Sequence, residues 1–263
     1  DVSVDAGAQC FSSRWVELDG SWLQNPHMPD GTTIQRMFAE VAPGYDRANR
    51  ALSFGLDRWW RRQAVRLTGV RAGERGLDVC AGTGDLALAL HRAGASVVGA
   101  DFCAPMLLRA EAKCARADRG TTATHPRFLA ADAQLLPFPD ATFDFVTVAF
   151  GIRNVSEPLA ALREMVRVVR PGGRVVVLEF CKPRVALFGP VYRFYFRRVL
   201  PRLGGWISGT KNGAYRYLHD SVMVFPERDE FLALMRAAGL HAPRMRLLTG
   251  GIAALYRGEV QGR

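Results

Sequence analysis

Apolar residues first fall into register at Ile34, Met37, Phe38 and Val41, the i, i+3, i+4, i+7 spacing of one helix face. Pro43-Gly44 stops that helix. Tyr45-Asp46-Arg47-Ala48-Asn49 follows, and then a second amphipathic stretch from about Leu52 to Leu67 that carries Arg58, Trp59, Trp60, Arg61 and Arg62. This N-terminal piece reads as two helices around a sharp turn. From Gly76 the period changes. Leu77-Asp78-Val79-Cys80 is a short buried strand closed by Ala81-Gly82-Thr83-Gly84, and Asp85 to Arg92 continues as a helix. Further strands are expected at Ser96–Ala100, Phe128–Ala131, Phe143–Ala149 and Arg174–Phe180. Between them Pro105–Ala117 is helical, and a second helix starts at Ser156-Glu157-Pro158, with a capping hydroxyl and an early proline, and stops at Pro171-Gly172-Gly173.

A later helix, Glu227 to Ala238, sets Phe231, Leu234, Met235 and Ala238 on one side and ends at Gly239. Two closing strands follow near Arg244–Leu248 and Ile252–Tyr256, with Thr249-Gly250-Gly251 as the hairpin turn between them. That makes seven strands in an α/β chain. Strands alternating with helices across short loops imply a parallel sheet covered on both faces, ended by an antiparallel strand. Lys182 to Phe225 breaks the alternation and is too long for a simple loop. Its aromatics (Phe188, Tyr192, Phe194, Tyr195) and arginines (Arg193, Arg197, Arg198) read as a helical insertion above the C-terminal strand ends, where open α/β sheets bind ligands. The expected organisation is therefore one domain from 31 to 263, with N-terminal helices over 31–70 and a substrate-side insertion over 182–226. Residues 1 to 30 lack periodicity and read as a disordered extension, with Met28 a candidate start.

Composition narrows the class. At 263 residues and 49% hydrophobic the chain can bury a large core without staples. No apolar run approaches the roughly 20 residues of a membrane span. Five cysteines, Cys10, Cys80, Cys103, Cys114 and Cys181, form no CxxC pair and no metal-ligand spacing, which points to a reduced cytoplasmic setting and no metal. The net charge of +10 fits an ordinary arginine-rich solvated surface as well as attraction to nucleic acid or anionic lipid.

The candidate chemistry starts at Gly82-Thr83-Gly84-Asp85-Leu86-Ala87, which fits G-x-G-x-x-A. Glycine lets a ligand approach the backbone, and the helix N-terminus behind favours an anionic group. A tight turn with no ligand would use the same residues. Three acids sharpen the choice: Asp78 inside the first strand, Asp101 at the end of the second, where a carboxylate can take both ribose hydroxyls, and Asp132 at the end of the third, where it and the N–H of Ala133 can read an adenine edge. Each alone is explained as a cap or a solvated loop residue. Together with the terminal hairpin they favour S-adenosylmethionine over a nicotinamide dinucleotide.

Beyond the glycine loop the chain resembles the C-methyltransferases of ubiquinone and menaquinone biosynthesis, from about Met37 to Gly258. The resemblance rests on Met37-Phe38-Ala39-Glu40-Val41-Ala42-Pro43-Gly44-Tyr45-Asp46, Leu77 to Asp85, Leu136-Pro137-Phe138-Pro139-Asp140, Leu178-Glu179-Phe180 and Thr249-Gly250-Gly251-Ile252. Its most specific stretches are Phe150-Gly151-Ile152-Arg153-Asn154-Val155 and Tyr215-Arg216-Tyr217-Leu218. It implies a class I S-adenosylmethionine-dependent methyltransferase, Rossmann-like, with donor contacts at Thr83, Asp101, Asp132 and Ala133. It also implies methylation of a ring carbon on a prenylated quinol. Demethylmenaquinol is favoured, and the benzoquinol precursor of ubiquinone or another small molecule is the alternative. Ala149 stands where some members have Ser, and Cys181 and Asp220 where many carry other residues.

That reaction needs the sulfonium methyl and the ring carbon held in line and a phenolate stabilised. Arg153 is the first candidate for the phenolate, although Arg153 and Asn154 could equally pin a loop. Arginine is a poor proton acceptor, so the base is a water or one of His219, Tyr215 and Tyr217, His219 being as readily a solvated surface residue. Tyr45 can close over a cation or simply pack. The mixed aromatic and arginine pattern of Phe188–Leu203 suits peripheral contact with a lipid interface, or packing on the sheet. A nicotinamide-dependent oxidoreductase leaves Asp132 and the hairpin unexplained. A nucleic-acid methyltransferase lacks an Asn/Asp-Pro-Pro-aromatic run after the fourth strand and a Pro-Cys nucleophile. No nucleic-acid partner is expected, and a homodimer stays open.

Overall fold

The computed structural model describes residues 31–117, 125–183 and 214–262, with backbone alone at 214 and 215. In chain order the elements are α1 (Gly31–Val41), α2 (Tyr45–Leu52), α3 (Leu56–Thr68), β1 (Arg75–Val79), α4 (Asp85–Arg92), β2 (Ser96–Asp101), α5 (Ala104–Ala117), β3 (Arg127–Ala130), β4 (Phe143–Ala149), α6 (Pro158–Val168), β5 (Val169–Phe180), α7 (Ala214–Val224), α8 (Asp229–Ala237), β6 (Leu240–Leu248) and β7 (Ala253–Val260). Single 3-10 turns lie at Ile152–Asn154 and Thr249–Gly251. One seven-stranded sheet runs β3-β2-β1-β4-β5-β7-β6. β1 to β5 pair in parallel, and β7 is antiparallel to both β5 and β6. The antiparallel strand expected at the sheet's end is thus the last in sequence but not in space, because β6 takes the edge.

The core follows the pleat. On β5, Val175 and Val177 face one layer with Leu162 and Met165 of α6 and Phe231 and Met235 of α8, while Val176 and Leu178 face the other with Trp60 of α3 and Leu86 and Leu90 of α4. The alternating side chains of a strand buried on both faces account for the continuous apolar run in sequence. Each such side chain contributes on the order of 1.5–3 kcal/mol when fully buried.

Three local expectations need correction. The N-terminal piece has three helices, not two: the segment read as a turn is α2, broken from α3 by Phe54 (φ 52°) and Gly55 (φ 77°). β5 begins at Val169, before Pro171-Gly172-Gly173, because Val169 already pairs with Phe143; the Pro-Gly-Gly run is absorbed as a register shift between Phe143 and Phe145. Ser156 does not cap α6. Its hydroxyl donates to Gln134 Oε1 at 3.2 Å, and the same oxygen accepts the N–H of Glu157 at 3.1 Å, so Gln134 satisfies the helix start. The extension over 1–30 and the stretch Phe188–Leu203 lie outside the described residues.

At the N-terminal end of the sheet Arg174 of β5 forms a buried ion pair with Glu74 (Nη2–Oε2, 2.6 Å) and donates to the carbonyls of Thr68 and Gly69. This ties the C-terminus of α3 to the sheet. At the other end Trp60 of α3 packs on Phe150 and Phe180, with ring centroids 5.9 and 6.1 Å away, and donates its indole N–H to Thr249 Oγ1 at 2.8 Å.

Candidate active site

β1 has β2 on one side and β4 on the other, so the strand order reverses there and the connections leave a crevice at the C-terminal ends. A cleft occupies it, lined among others by Tyr45, Cys80, Gly82, Asp101, Ala133 and Asn154. Of the glycine loop, Gly82 lines the cleft and Gly84 sets the start of α4 behind it. Gly84 has φ 77°, and a Cβ there would lie 2.9 Å from both Ala110 Cβ and Phe128 Cζ, so only glycine allows α4 to start this close to α5 and β3. Gly82 (φ 54°) turns its N–H onto Asp101 Oδ2 at 2.8 Å, while Asp101 Oδ1 accepts the N–H of Cys103 at 2.8 Å. Asp101 is 7% exposed, and burial raises its pKa against the pull of these backbone donors.

Asp132 lies in the same cleft, exposed, with Oδ1 accepting the N–H of Gln134 at 2.8 Å, and buried Ala133 is beside it. Gly82, Asp101, Asp132 and Ala133 therefore meet in one place. The other predicted donor-site residues stand behind it. Thr83 is buried, donating its hydroxyl to Asp46 Oδ1 at 2.6 Å and accepting from Lys113 Nζ at 3.2 Å. Asp78 does not reach the cleft. It is 1% exposed, accepts the Thr147 hydroxyl at 2.8 Å, and is pushed by burial to a pKa of about 7. A mid-strand side chain points into the sheet's face rather than off its end, which is why Asp78 meets Thr147 of the neighbouring β4 instead of the cleft.

Burial raises the Cys80 thiol well above its ordinary value, and the nearby Asp101, Asp78, Glu179 and Asp132 push in the same direction, whereas at Tyr45 across the cleft Arg153 and Arg61 pull the phenol the other way. Tyr45, at the start of α2, lines the cleft with its ring edge-on to Phe38, and burial raises its phenol pKa.

Beyond β4 the Ile152–Asn154 turn carries Arg153, which is 5% exposed. Its guanidinium donates to the Phe150 carbonyl and to Glu179 Oε1 at 2.9 Å, and lies 5.4 Å from the Phe180 ring centroid. Arg153 is therefore not an unopposed cation waiting for a phenolate: Glu179 already meets its charge, and the pair pins the turn. Burial raises the Glu179 pKa and Arg153 lowers it in turn. Among the described residues, Arg153 Nε, Asn154 Oδ1 and the Tyr217 hydroxyl are buried without a hydrogen-bond partner. Tyr217 on α7 feels both Arg153 and Glu179, and burial pushes its phenol to about 12. His219 is paired at the surface with Asp220 (Nδ1–Oδ1, 2.9 Å) and is absent from the cleft lining. The side chain of Tyr215 lies outside the described residues.

Sequence reasoning missed Glu179, Gln134 and the Asp46–Lys113 contact. Glu179 left a signal, a lone acid in the apolar run Val175–Phe180; Lys113 left none, since a lysine on an amphipathic helix is ordinary.

Comparison with known proteins gives the family and the fold. The profile of the ubiE/COQ5 methyltransferase family matches residues 27–259. A demethylmenaquinone methyltransferase of Thermus thermophilus is 55% identical over 225 residues, 85% of this chain and 99% of that one. The ubiquinone/menaquinone biosynthesis C-methyltransferase UbiE of Bdellovibrio bacteriovorus is 43% identical over 238 residues, 89% and 99% of the two chains. Among solved structures, a SAM-dependent methyltransferase from Thermotoga maritima superposes with a TM-score of 0.60 at 20% identity, covering 85% of this chain and 98% of that one. Phosphoethanolamine N-methyltransferase 2 of Haemonchus contortus, solved with S-adenosyl-L-methionine, gives 0.55 at 12% identity over 76% and 52% of the chains.

Proposed function

The chain belongs to the ubiE/COQ5 methyltransferase family, and from that premise we propose that it transfers the methyl group of S-adenosylmethionine to a ring carbon of demethylmenaquinol. The observation that carries the reading is the match across residues 27–259, which spans the acceptor side of the cleft as well as the nucleotide side. The residues present suit the donor: the Tyr45 ring for a sulfonium, glycine backbone for close approach, and Asp101 and Asp132 for hydroxyl and amine groups. The bound donor supplies an electrophilic methyl, and the electron pair of the broken bond stays on sulfur. Asp101 holds the ribose while bracing Gly82, Asp132 and the N–H of Ala133 meet the adenine edge, and Tyr45 covers the cation. Asn154, in the cleft lining, meets the quinol, and the buried Arg153, fixed by Glu179, holds the turn that carries it. The ring hydroxyl proton leaves to water, since Arg153 stays charged and burial holds the Tyr217 phenol protonated; once the new carbon–carbon bond has formed, the hydrogen on that ring carbon leaves as a proton to water and the ring oxygen is reprotonated, which restores the aromatic quinol with one net proton released.

The test is transfer of labelled methyl from S-adenosylmethionine to reduced demethylmenaquinone. Label on the quinol is expected, and none on either that quinol or the 2-methoxy-6-polyprenyl-1,4-benzoquinol overturns the reading. Relatives named for both pathways favour the benzoquinol as the second substrate to try.

A further inference from the structure

Gln134 lies between two loops at the C-terminal ends of the strands and bonds to both. It is half-buried and lines the cleft, as do Asp132 and, from the loop after β4, Ser156. Its carboxamide is used at both ends. Nε2 donates to the Asp132 carboxylate, 3.2 Å from Oδ1 and 3.3 Å from Oδ2. Oε1 accepts the Ser156 hydroxyl and the Glu157 N–H. The amide fits in one orientation, because the reverse would set an oxygen against a carboxylate and an NH2 group against an N–H. The turn itself closes without this side chain: the Leu135 N–H donates to the Asp132 carbonyl at 3.1 Å, and Asp132 and Leu135 pair as an isolated bridge.

What the carboxamide changes is Asp132. An exposed aspartate turns readily about its last side-chain bond, so either oxygen can face a ligand. Here Oδ1 accepts both the backbone N–H of Gln134, at 2.8 Å, and its side-chain amide, whereas Oδ2 takes only the longer share of that amide. A carboxylate oxygen has two lone pairs, so Oδ1 is filled and Oδ2 is left to accept from a ligand. The far end of the amide is held at the start of α6, so the carboxylate is braced against a helix rather than left to water.

We propose that Gln134 is a positioning residue: it fixes which oxygen of Asp132 meets the base of the donor, and so makes the site prefer a 6-aminopurine to a 6-oxopurine. The proposal rests on the donor reading above, in which Asp132 and the N–H of Ala133 meet the adenine edge. Adenine offers an amino donor and a ring-nitrogen acceptor there. Hypoxanthine offers a carbonyl acceptor and a ring N–H donor, so both partners are mismatched. A fixed carboxylate cannot turn to take the ring N–H, and the mismatch stands; a loose one turns and relieves it.

The experiment is calorimetric titration of the full chain with S-adenosylhomocysteine and with S-inosylhomocysteine, in which an oxo group replaces the amino group. Wild type is expected to bind the adenine ligand at least about tenfold more tightly. Gln134→Glu keeps the acceptor for Ser156 and Glu157 but sets a second charge against Asp132, and Gln134→Met removes both ends. Each should lower the preference about threefold or more by weakening S-adenosylhomocysteine more than S-inosylhomocysteine, with unchanged circular dichroism. In an Asp132→Ala background Gln134→Met should leave the preference where Asp132→Ala puts it, because the residue acts through that carboxylate. Equal weakening of the two ligands overturns the proposal, since Gln134 would then only support the loops. A preference that survives both substitutions, a further loss in the Asp132→Ala background, or a wild type that binds the two ligands alike overturns it as well. The two failures are distinguishable: a wrong donor reading leaves wild type unable to bind S-adenosylhomocysteine at all, whereas a wrong role for Gln134 leaves wild type selective and the variants equally so.

Discussion

Asp101 commits one oxygen to Gly82 and the other to Cys103, yet each carboxylate oxygen keeps a further lone pair for a ribose hydroxyl. Its removal therefore costs both the loop's brace and the ligand's acceptors. Hydrogen bonds to a charged group contribute about 1.5–3 kcal/mol each, so Asp101→Ala should weaken S-adenosylhomocysteine binding by at least about 100-fold in calorimetric titration. Asp78 acts through protons instead. Its folded pKa of about 7 stands above the ordinary 3.8, so the fold favours the neutral acid. The stability it contributes is fully present below the ordinary value and is lost as pH rises from there through about 7. Asp78→Asn should remove this residue's share of that decline, read as urea midpoints that fall less steeply than those of the wild type, Asp101 and Glu179 supplying the remainder. Both acids were visible in the sequence because each interrupts an apolar strand or ends one. Whether such an acid faces the ligand was not, since Asp78 and Asp101 are alike in pattern and differ only in where the strand stops.

The strands and the helices between them were legible because their periods differ and glycine or proline marks most ends. α2 was not: of its eight residues only Ala48 and Leu52 are buried, too few for a helical stripe to show. What holds α2 is contact from far along the chain. Lys113 of α5 lies 2.8 Å from Asp46 and 2.5 Å from Asp85, and also reaches Thr83, so one ammonium joins α2, the glycine loop and the first turn of α4. Burial alone would raise the Asp85 pKa, but Arg61 and Lys113 outweigh it and hold the carboxyl below its ordinary value. Lys113→Met should free α2 to move off the loop. The expected result is a several-fold rise in KM for S-adenosylmethionine with a smaller change in kcat, because the residue positions the loop and touches neither reactant. The melting temperature should fall only slightly, as partly exposed pairs contribute about 1 kcal/mol or less. An equal loss of kcat and kcat/KM would place Lys113 in the chemistry instead.

Taken end to end, the sheet separates a face that reacts from a face that holds. The cleft lies at the C-terminal ends of β1, β2 and β4; the Arg174–Glu74 pair lies at the opposite end, where it closes the last turn of α3. Sequence alone located the first face, since ligand-binding loops follow strand ends, but not the second, because the partners are a hundred residues apart and nothing in either neighbourhood names the other. Arg174→Met strands a buried carboxylate and leaves the Thr68 and Gly69 carbonyls without their donor, a loss of about 3 kcal/mol by analogy with other broken buried pairs. Adding Glu74→Leu should recover much of it, which distinguishes an unpaired charge from lost packing. The pH dependence follows the same pair. Arg174 holds the Glu74 pKa below the ordinary 4.5, so the stability this carboxylate contributes is present above that value and lost as pH falls through the lowered one. Arg174→Met should shrink that acid-side loss while leaving kcat at the permissive temperature unchanged, measured by urea unfolding and methyl transfer on the same samples. A fall in kcat without a fall in stability would mean that the two ends of the sheet are coupled.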